Sequence, residues 1–281
     1  MNYADILLSG EPIVLDSGKA GPRAVILCSV HGNEPCGVEA LKEILPTLEI
    51  KAGVLTCILA NPKAYEQKVR FTEANLNRMF RSTNDLSESE AKSYEHIRAK
   101  EIMLSLEEAD YLLDLHSYSS TSGQPFVICS EKYFDLAKHL GPKIVFSGID
   151  DLHPGSTDGY MNLLNKPGIC VECGQHDDPE SIPFAQDSIV RFLSLLEIIE
   201  LTENIPMGDG VALTAARQIY ITKIDFKPEK EFKNFEKVFK GQSLGVDGHE
   251  EILSPYNGFI LFAQKCEKPG QEAFVLGEYL K

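Results

Sequence analysis

Ala24-Val25-Ile26-Leu27-Cys28-Ser29-Val30-His31-Gly32-Asn33-Glu34-Pro35-Cys36-Gly37 is the stretch on which the reading of this chain turns. The run 23–30 is apolar without alternation, the pattern of a strand buried on both faces of a parallel sheet. Gly32-Asn33 is a turn. A helical pattern over 35–45 follows, with Pro35 in its first turn and Pro46 just past its end. A strand that passes through a polar turn into a helix is the repeating unit of an open α/β sheet. In such sheets ligands gather outside the carboxyl ends of the strands. His31 and Glu34, three residues apart, can be aimed from that turn at one point, and both are metal-ligand types.

Working outward, 11–17 reads as a short strand and Val54 to Ala60 as another. Residues 62–84 carry few periodic apolar positions and read as an extended excursion holding Arg70, Asn75-Leu76-Asn77-Arg78 and Arg81. Ser87 and Glu90 form a capping box that opens a helix reaching about Ala109. Tyr111 to Leu115 is a strand ending at His116. Strand 125–129, helix 131–140, strand 143–148, a short helix over 155–165 and strand 168–173 come next, and a helix from about 182 to 201 closes this part. After Asn204-Ile205-Pro206 the apolar runs shorten and turn residues separate them, the spacing of a small all-β unit. The expected fold is α/β: a mixed, mostly parallel sheet flanked by helices over residues 1–205, with a small β-rich domain over 206–281.

The 281 residues carry a formal net charge of -15. Such a chain repels polyanions, which argues against nucleic acid or an anionic membrane surface as partner. No run approaches the roughly 20 apolar residues of a membrane span. The N-terminus lacks the basic start and apolar core of a signal peptide, so the expected location is cytoplasmic. Seven scattered cysteines in such a chain read as reduced, mostly buried thiols. Cys170 and Cys173, three apart on a strand, point to opposite faces and favour neither a disulfide nor a shared metal. A homo-oligomer is compatible with the sequence.

Three strand ends carry metal-competent or titratable residues: His31 with Glu34, His116, and Glu172. His31, Glu34 and His116 have the composition of a catalytic zinc site, with three protein ligands and one position left to water. Asp114, two before His116 and on the same strand face, is placed to accept the distal N–H of a ligand imidazole. Glu172 remains as general base, taking a proton from water and returning it to a leaving nitrogen. Taken singly, each has a plainer reading: a hydrogen-bonded strand-end histidine, a loop-capping aspartate, a salt-bridged surface glutamate. Arg70, Arg78 and Arg81 are either a solvated basic loop paired with Glu66 and Glu73 or a clamp for a substrate carboxylate, with Asn77 beside it. His153 and His176 lie near the same edge and could line a cleft. His96, His139 and His249 read as surface residues, and Cys36 as the start of helix packing.

His31-Gly-Asn-Glu34, Asn75-Leu76-Asn77-Arg78, Asp114-Leu115-His116 and Val171-Glu172-Cys173-Gly174 resemble, in order and spacing, the succinylglutamate desuccinylase/aspartoacylase family of the zinc carboxypeptidase superfamily. The resemblance spans about residues 12–200 and, more loosely, the β-rich tail. It implies a zinc hydrolase that cleaves the amide of a small, anionic N-acyl amino acid. On the matching positions His31, Glu34 and His116 would bind one Zn2+ per chain and Glu172 would be the general base. Arg70 would stabilise the oxyanion, and Asn77 and Arg78 would hold the substrate carboxylate. Aspartoacylase-type members place a further substrate-binding arginine before the catalytic glutamate, and Gly155 to Asn165 contains none. They also supply a tyrosine from the C-terminal domain, for which Tyr256 and Tyr279 are the candidates. The segment from Lys240 to Leu261 resembles a lipoyl-type hairpin without its lysine-bearing turn and reads as structural. Two other readings stay open: a metallocarboxypeptidase trimming short peptides, and a metal-binding regulatory protein without turnover.

Overall fold

A computed structural model describes residues 2–119, 123–200 and 210–280. Helix α1 (Tyr3–Ser9) and strand β1 (Ile13–Asp16) lead into β2 (Arg23–Cys28), α2 (Cys36–Ile44) and β3 (Val54–Leu59). The excursion opens with α3 (Pro62–Gln67), capped by the Asn61 side chain on the Ala64 N–H and started by Pro62. Two 3-10 turns, Leu76–Arg78 and Thr83–Asp85, lead to α4 (Glu88–Ala91) and α5 (Tyr94–Glu108). There follow β4 (Tyr111–Tyr118), β5 (Phe126–Cys129), α6 (Phe134–Lys138), β6 (Ile144–Ser147), α7 (Ile149–Leu152), α8 (Thr157–Leu163), β7 (Gly168–Gln175) and α9 (Ser181–Leu195). The C-terminal part contributes β8 (Ala212–Ile221), β9 (Phe226–Pro228), β10 (Glu236–Val238), β11 (Ser243–Asp247), β12 (Glu250–Leu253), β13 (Gly258–Leu261) and β14 (Glu272–Tyr279).

Among the described residues these strands form an 11-stranded sheet, β1-β3-β2-β4-β7-β5-β6-β8-β14-β13-β10, and a three-stranded one, β12-β11-β9. β3, β2, β4 and β7 run parallel, and β5 turns antiparallel against β7. The carboxyl ends of β2, β4 and β7 therefore lie side by side, and β5 begins at that same edge. His116 and Glu172 are direct partners across the β4–β7 pair. The fold is a mixed α/β fold with a mainly parallel centre and a small antiparallel sheet.

Alternation along β2 shows why its run is apolar throughout. Ala24, Ile26 and Cys28 face one core with α2 and α9, while Val25 and Leu27 face another with Ala99, Ile102 and Leu106 of α5. Burying both faces removes any place for a polar side chain until the strand ends. Cys170 and Cys173 enter different cores and are free thiols, as their spacing requires.

Several boundaries differ from the sequence reading. The helix expected from Ser87 is two helices: Ser87 and Glu90 do form the capping box on α4, but Ser93 caps α5 anew through the His96 N–H. β4 runs on through His116 to Tyr118, so that histidine sits inside the strand. The helix expected over 131–140 is a 3-10 turn followed by α6, and α9 ends at Leu195. His96 is buried, 3.0 Å from Thr83 Oγ1, because the restarted helix turns its first turn inward. The 205/206 boundary lies outside the described residues. The strands beyond it prolong the large sheet, β8 pairing parallel to β6. No helix among the described residues is long and apolar enough to cross a membrane.

The turn after β2 is packed backbone against backbone. A Cβ on Gly32 would lie 2.0 Å from the Ala64 carbonyl carbon, and the Gly32 N–H donates to the Arg70 carbonyl at 3.2 Å. Gly32→Ala should therefore cost about 1–3 kcal/mol of overpacking. Thermal melting should show a fall of about 3–10 °C; an unchanged midpoint would contradict the close approach.

Candidate active site

Ser29, at the end of β2, takes a left-handed conformation (φ 53°) and its hydroxyl donates to the His31 carbonyl at 3.2 Å. This strained bend swings His31 over the sheet edge. Glu34 lies on the following turn, only 2% exposed. His31 Nδ1 is 2.8 Å from Glu34 Oε1, and His116 Nδ1 is 2.9 Å from Glu34 Oε2. The two imidazoles stand edge to face with centroids 5.1 Å apart. The Ser117 N–H donates to Glu34 Oε2 at 3.1 Å and Arg70 Nη1 donates to Oε1 at 3.2 Å.

The far side of each ring fixes its hydrogen. Asn75 Oδ1 accepts the Asn77 N–H at 3.0 Å, which identifies it as the oxygen, and it lies 3.1 Å from His31 Nε2. His31 therefore donates from Nε2. Asp114 Oδ2, an acceptor only, lies 2.9 Å from His116 Nε2 and also accepts from Thr157 Oγ1 at 2.5 Å. With both Nε2 atoms spoken for, both Nδ1 atoms converge on the Glu34 carboxylate. In the neutral rings these are lone pairs aimed at an anion, an arrangement that a cation between them would satisfy. The ligand atoms of His31, Glu34 and His116 lie within 4.8 Å of one another, and all three residues are buried. Such a set fits a divalent ion by donor chemistry and by its outer hydrogen bonds.

The electrostatics of the two rings differ. Burial and Arg70 lower the His31 pKa to about 4, leaving the ring neutral. Burial opposes charge on His116, but Asp114 and Glu34 outweigh it and raise its pKa well above the ordinary value. Burial also works against the Glu34 anion, yet the two imidazoles hold its carboxyl well below the usual range. Cys170 forms a second candidate grouping with His116 and Glu172. Burial pushes its thiol far up, which disfavours the thiolate a metal needs.

Glu172 is buried, with Oε2 lacking any partner. Burial and the Glu34 charge raise its pKa to about 8, against the pull of His116 and Arg70. It faces the same edge as the cluster, as expected of it. Asn77 Oδ1 accepts the Thr157 N–H at 3.1 Å, so one residue pair ties the excursion to the helix that steadies Asp114.

The three arginines do not form one cluster. Arg70 reaches Glu34, Arg78 pairs with Glu272 at 3.2 Å, and Arg81 approaches Glu90 at 3.9 Å. Neither Glu66 nor Glu73 is their partner; Glu73 Oε2 instead accepts the Tyr94 N–H at 2.8 Å. His176 lies beside the cluster, 2.8 Å from Ser117 Oγ. Tyr279 packs on Phe259 and Tyr256 against the C-terminal core, so neither stands at the cluster.

Three residues at or around the site escape the sequence reading. Asn75 holds His31, and its only signal is its place in the quoted motif. Glu95 is a buried carboxylate that accepts from Thr72 N and Oγ1 at 2.7 Å each, Glu73 N at 3.2 Å and Ala74 N at 3.1 Å. It fastens the strip between Arg70 and Asn75. Glu272 comes from β14 and meets both Arg78 and His153, whose Nδ1 lies 2.7 Å away. Burial opposes its charge, but His153 and Arg78 bring its pKa down to about 2.

Residues 20–200 match the family model of the succinylglutamate desuccinylase/aspartoacylase catalytic domain. An aspartoacylase from Danio rerio is 34% identical over 292 residues, covering 90% of each chain. An N-acyl-aromatic-L-amino acid amidohydrolase (carboxylate-forming) from Xenopus tropicalis is 34% identical over 62% of this chain and 60% of its own length. A probable aspartoacylase from Nostoc is 32% identical, and this chain spans 55% of its length. The crystal structure of the succinylglutamate desuccinylase from Chromobacterium violaceum superposes with a TM-score of 0.76 at 20% identity, over 100% of this chain and 98% of that one; at that identity it speaks for the fold. With its catalytic-domain match, its full-length relative and the same architecture, the chain belongs to the succinylglutamate desuccinylase/aspartoacylase family.

Proposed function

We propose that this chain is a zinc-dependent amidohydrolase that removes the acyl group from a small N-acyl amino acid bearing a free carboxylate. The observation that carries the reading is the convergence of two imidazole Nδ1 atoms on the buried Glu34 carboxylate, each ring held from behind by an acceptor. The names of the relatives, aspartoacylase, succinylglutamate desuccinylase and N-acyl-aromatic-L-amino acid amidohydrolase, support this substrate class.

His31, Glu34 and His116 would hold the ion, which when bound supplies Lewis-acid activation of water and of the acyl carbonyl. Asp114 and Asn75 keep the two rings in the Nε2–H form. Glu172, the buried carboxylate across from His116, takes a proton as the water oxygen bonds to the acyl carbon. It then passes that proton to the nitrogen as the C–N bond breaks, releasing a carboxylic acid and an amine. Its Oε2 has no hydrogen-bond partner, which leaves that oxygen free to take up and release a proton. Arg70, half exposed and already at Glu34, is the donor for the developing oxyanion. Asn77 and Arg78 seat the substrate carboxylate. The protein works as a cytoplasmic enzyme on small molecules.

Glu172→Gln should keep the ion but lose about 10²–10⁴-fold in turnover, the usual span for a general acid–base. Release of free amine from a panel of N-acyl amino acids measures this, and turnover at the wild-type rate would contradict the role. Asp114 and Glu34 favour a proton on His116, and ligation through Nδ1 must displace any proton held there. Zinc affinity should therefore weaken as pH falls, by up to about tenfold per unit. Calorimetry in buffers of different ionisation heat reads the released proton. His116→Ala should abolish tight zinc binding; full occupancy in that variant would remove His116 from the ligand set.

A further inference from the structure

Arg78 already holds a carboxylate, and it is one of the chain's own. Its Nη2 donates to Glu272 Oε1 at 3.2 Å and Oε2 at 3.5 Å, while Nη1 donates to the Asn77 carbonyl at 2.7 Å. Its Nε is buried and has no acceptor. A fork-on-fork pair uses two guanidinium nitrogens at about 2.7–2.9 Å. Glu272 instead spreads both oxygens over one nitrogen at longer range, leaving the Nε–H empty. An incoming carboxylate that also took Nε–H would make the better pair.

Glu272 is built so that its side chain can leave while its backbone stays. It is the first residue of β14, beside a register shift between Glu272 and Phe274. Its carbonyl is fixed by Gln264 Nε2 at 2.8 Å and by the Cys266 thiol at 3.4 Å. Its side chain is 31% exposed, so the carboxylate can turn toward water without becoming a buried lone charge. His153 lies on its other side and offers a second partner.

We propose that Glu272 is an internal competitor for the carboxylate seat on Arg78, so that it sets how strongly this chain separates carboxylate-bearing ligands from neutral ones. The proposal rests on the reading of Arg78 as the substrate-carboxylate residue. A carboxylate tethered this closely acts at an effective concentration of about millimolar or more, comparable to a small substrate. If Glu272 takes the seat about 90% of the time, apparent affinity for a competing carboxylate falls about tenfold. Ligands without a carboxylate make no such exchange and pay no such penalty.

The test is titration calorimetry on zinc-loaded protein in a Glu172→Gln background, which slows turnover about 10²–10⁴-fold. The probes are N-acetyl-L-alanine and N-acetyl-L-phenylalanine, each beside its α-carboxamide. Glu272→Gln, and Glu272→Ala as a second variant, should tighten both carboxylates by about fivefold or more while moving the carboxamides by less than about twofold. Arg78→Gln should weaken the carboxylates alone. Weaker carboxylate binding in both Glu272 variants would make Glu272 a support for Arg78 and overturn the proposal, as would no change. If Arg78→Gln leaves the preference for carboxylate over carboxamide intact, the reading of Arg78 itself fails and the competition falls with it. That result is distinct from a failure confined to the Glu272 variants.

Discussion

A single buried carboxylate, Glu34, is the constraint on which the remaining structure depends. An ionised carboxylate at 2% exposure is expensive unless donors or cations surround it. This chain surrounds it from three directions. The turn after β2 brings His31, the end of β4 brings His116 and the Ser117 N–H, and the excursion brings Arg70. None of these elements is adjacent to the others in sequence. Parallel pairing of β2 with β4 and β4 with β7 sets the strand ends level, so the site is a consequence of register.

The same device recurs at longer range. Glu95 gathers the backbone of 72–74 with its own carboxylate, holding Arg70 on one side and the Asn75–Arg78 turn on the other. Asp247 does likewise in the C-terminal part, accepting from Lys223 N, Ile224 N and Asp225 N. Irregular backbone thus stays ordered without a strand or helix of its own. Glu272 then joins the C-terminal strands to the excursion through Arg78, and to the segment after α7 through His153.

Much of this was legible in the sequence because strand burial is written in consecutive apolar residues. The runs before His31, His116 and Glu172 announced three strands, and the polar residues that ended them announced one edge. Helix limits were less legible: Ser87 and Ser93 are both good caps, and only packing shows that the helix restarts at Ser93, burying Glu95 and His96. Partners were illegible wherever they are remote. Arg78 meets Glu272 across 194 positions, and nothing local in either residue marks the other. Glu95 has no local mark either, since its donors are backbone N–H groups that carry no sequence signature.

X-ray absorption of the zinc-loaded protein reads whether His31, Glu34 and His116 together bind the ion. Two imidazoles and a carboxylate require a shell of nitrogen and oxygen at about 2.0–2.2 Å with no sulfur. A sulfur contribution at about 2.3 Å would move the ion to Cys170 and contradict the assignment.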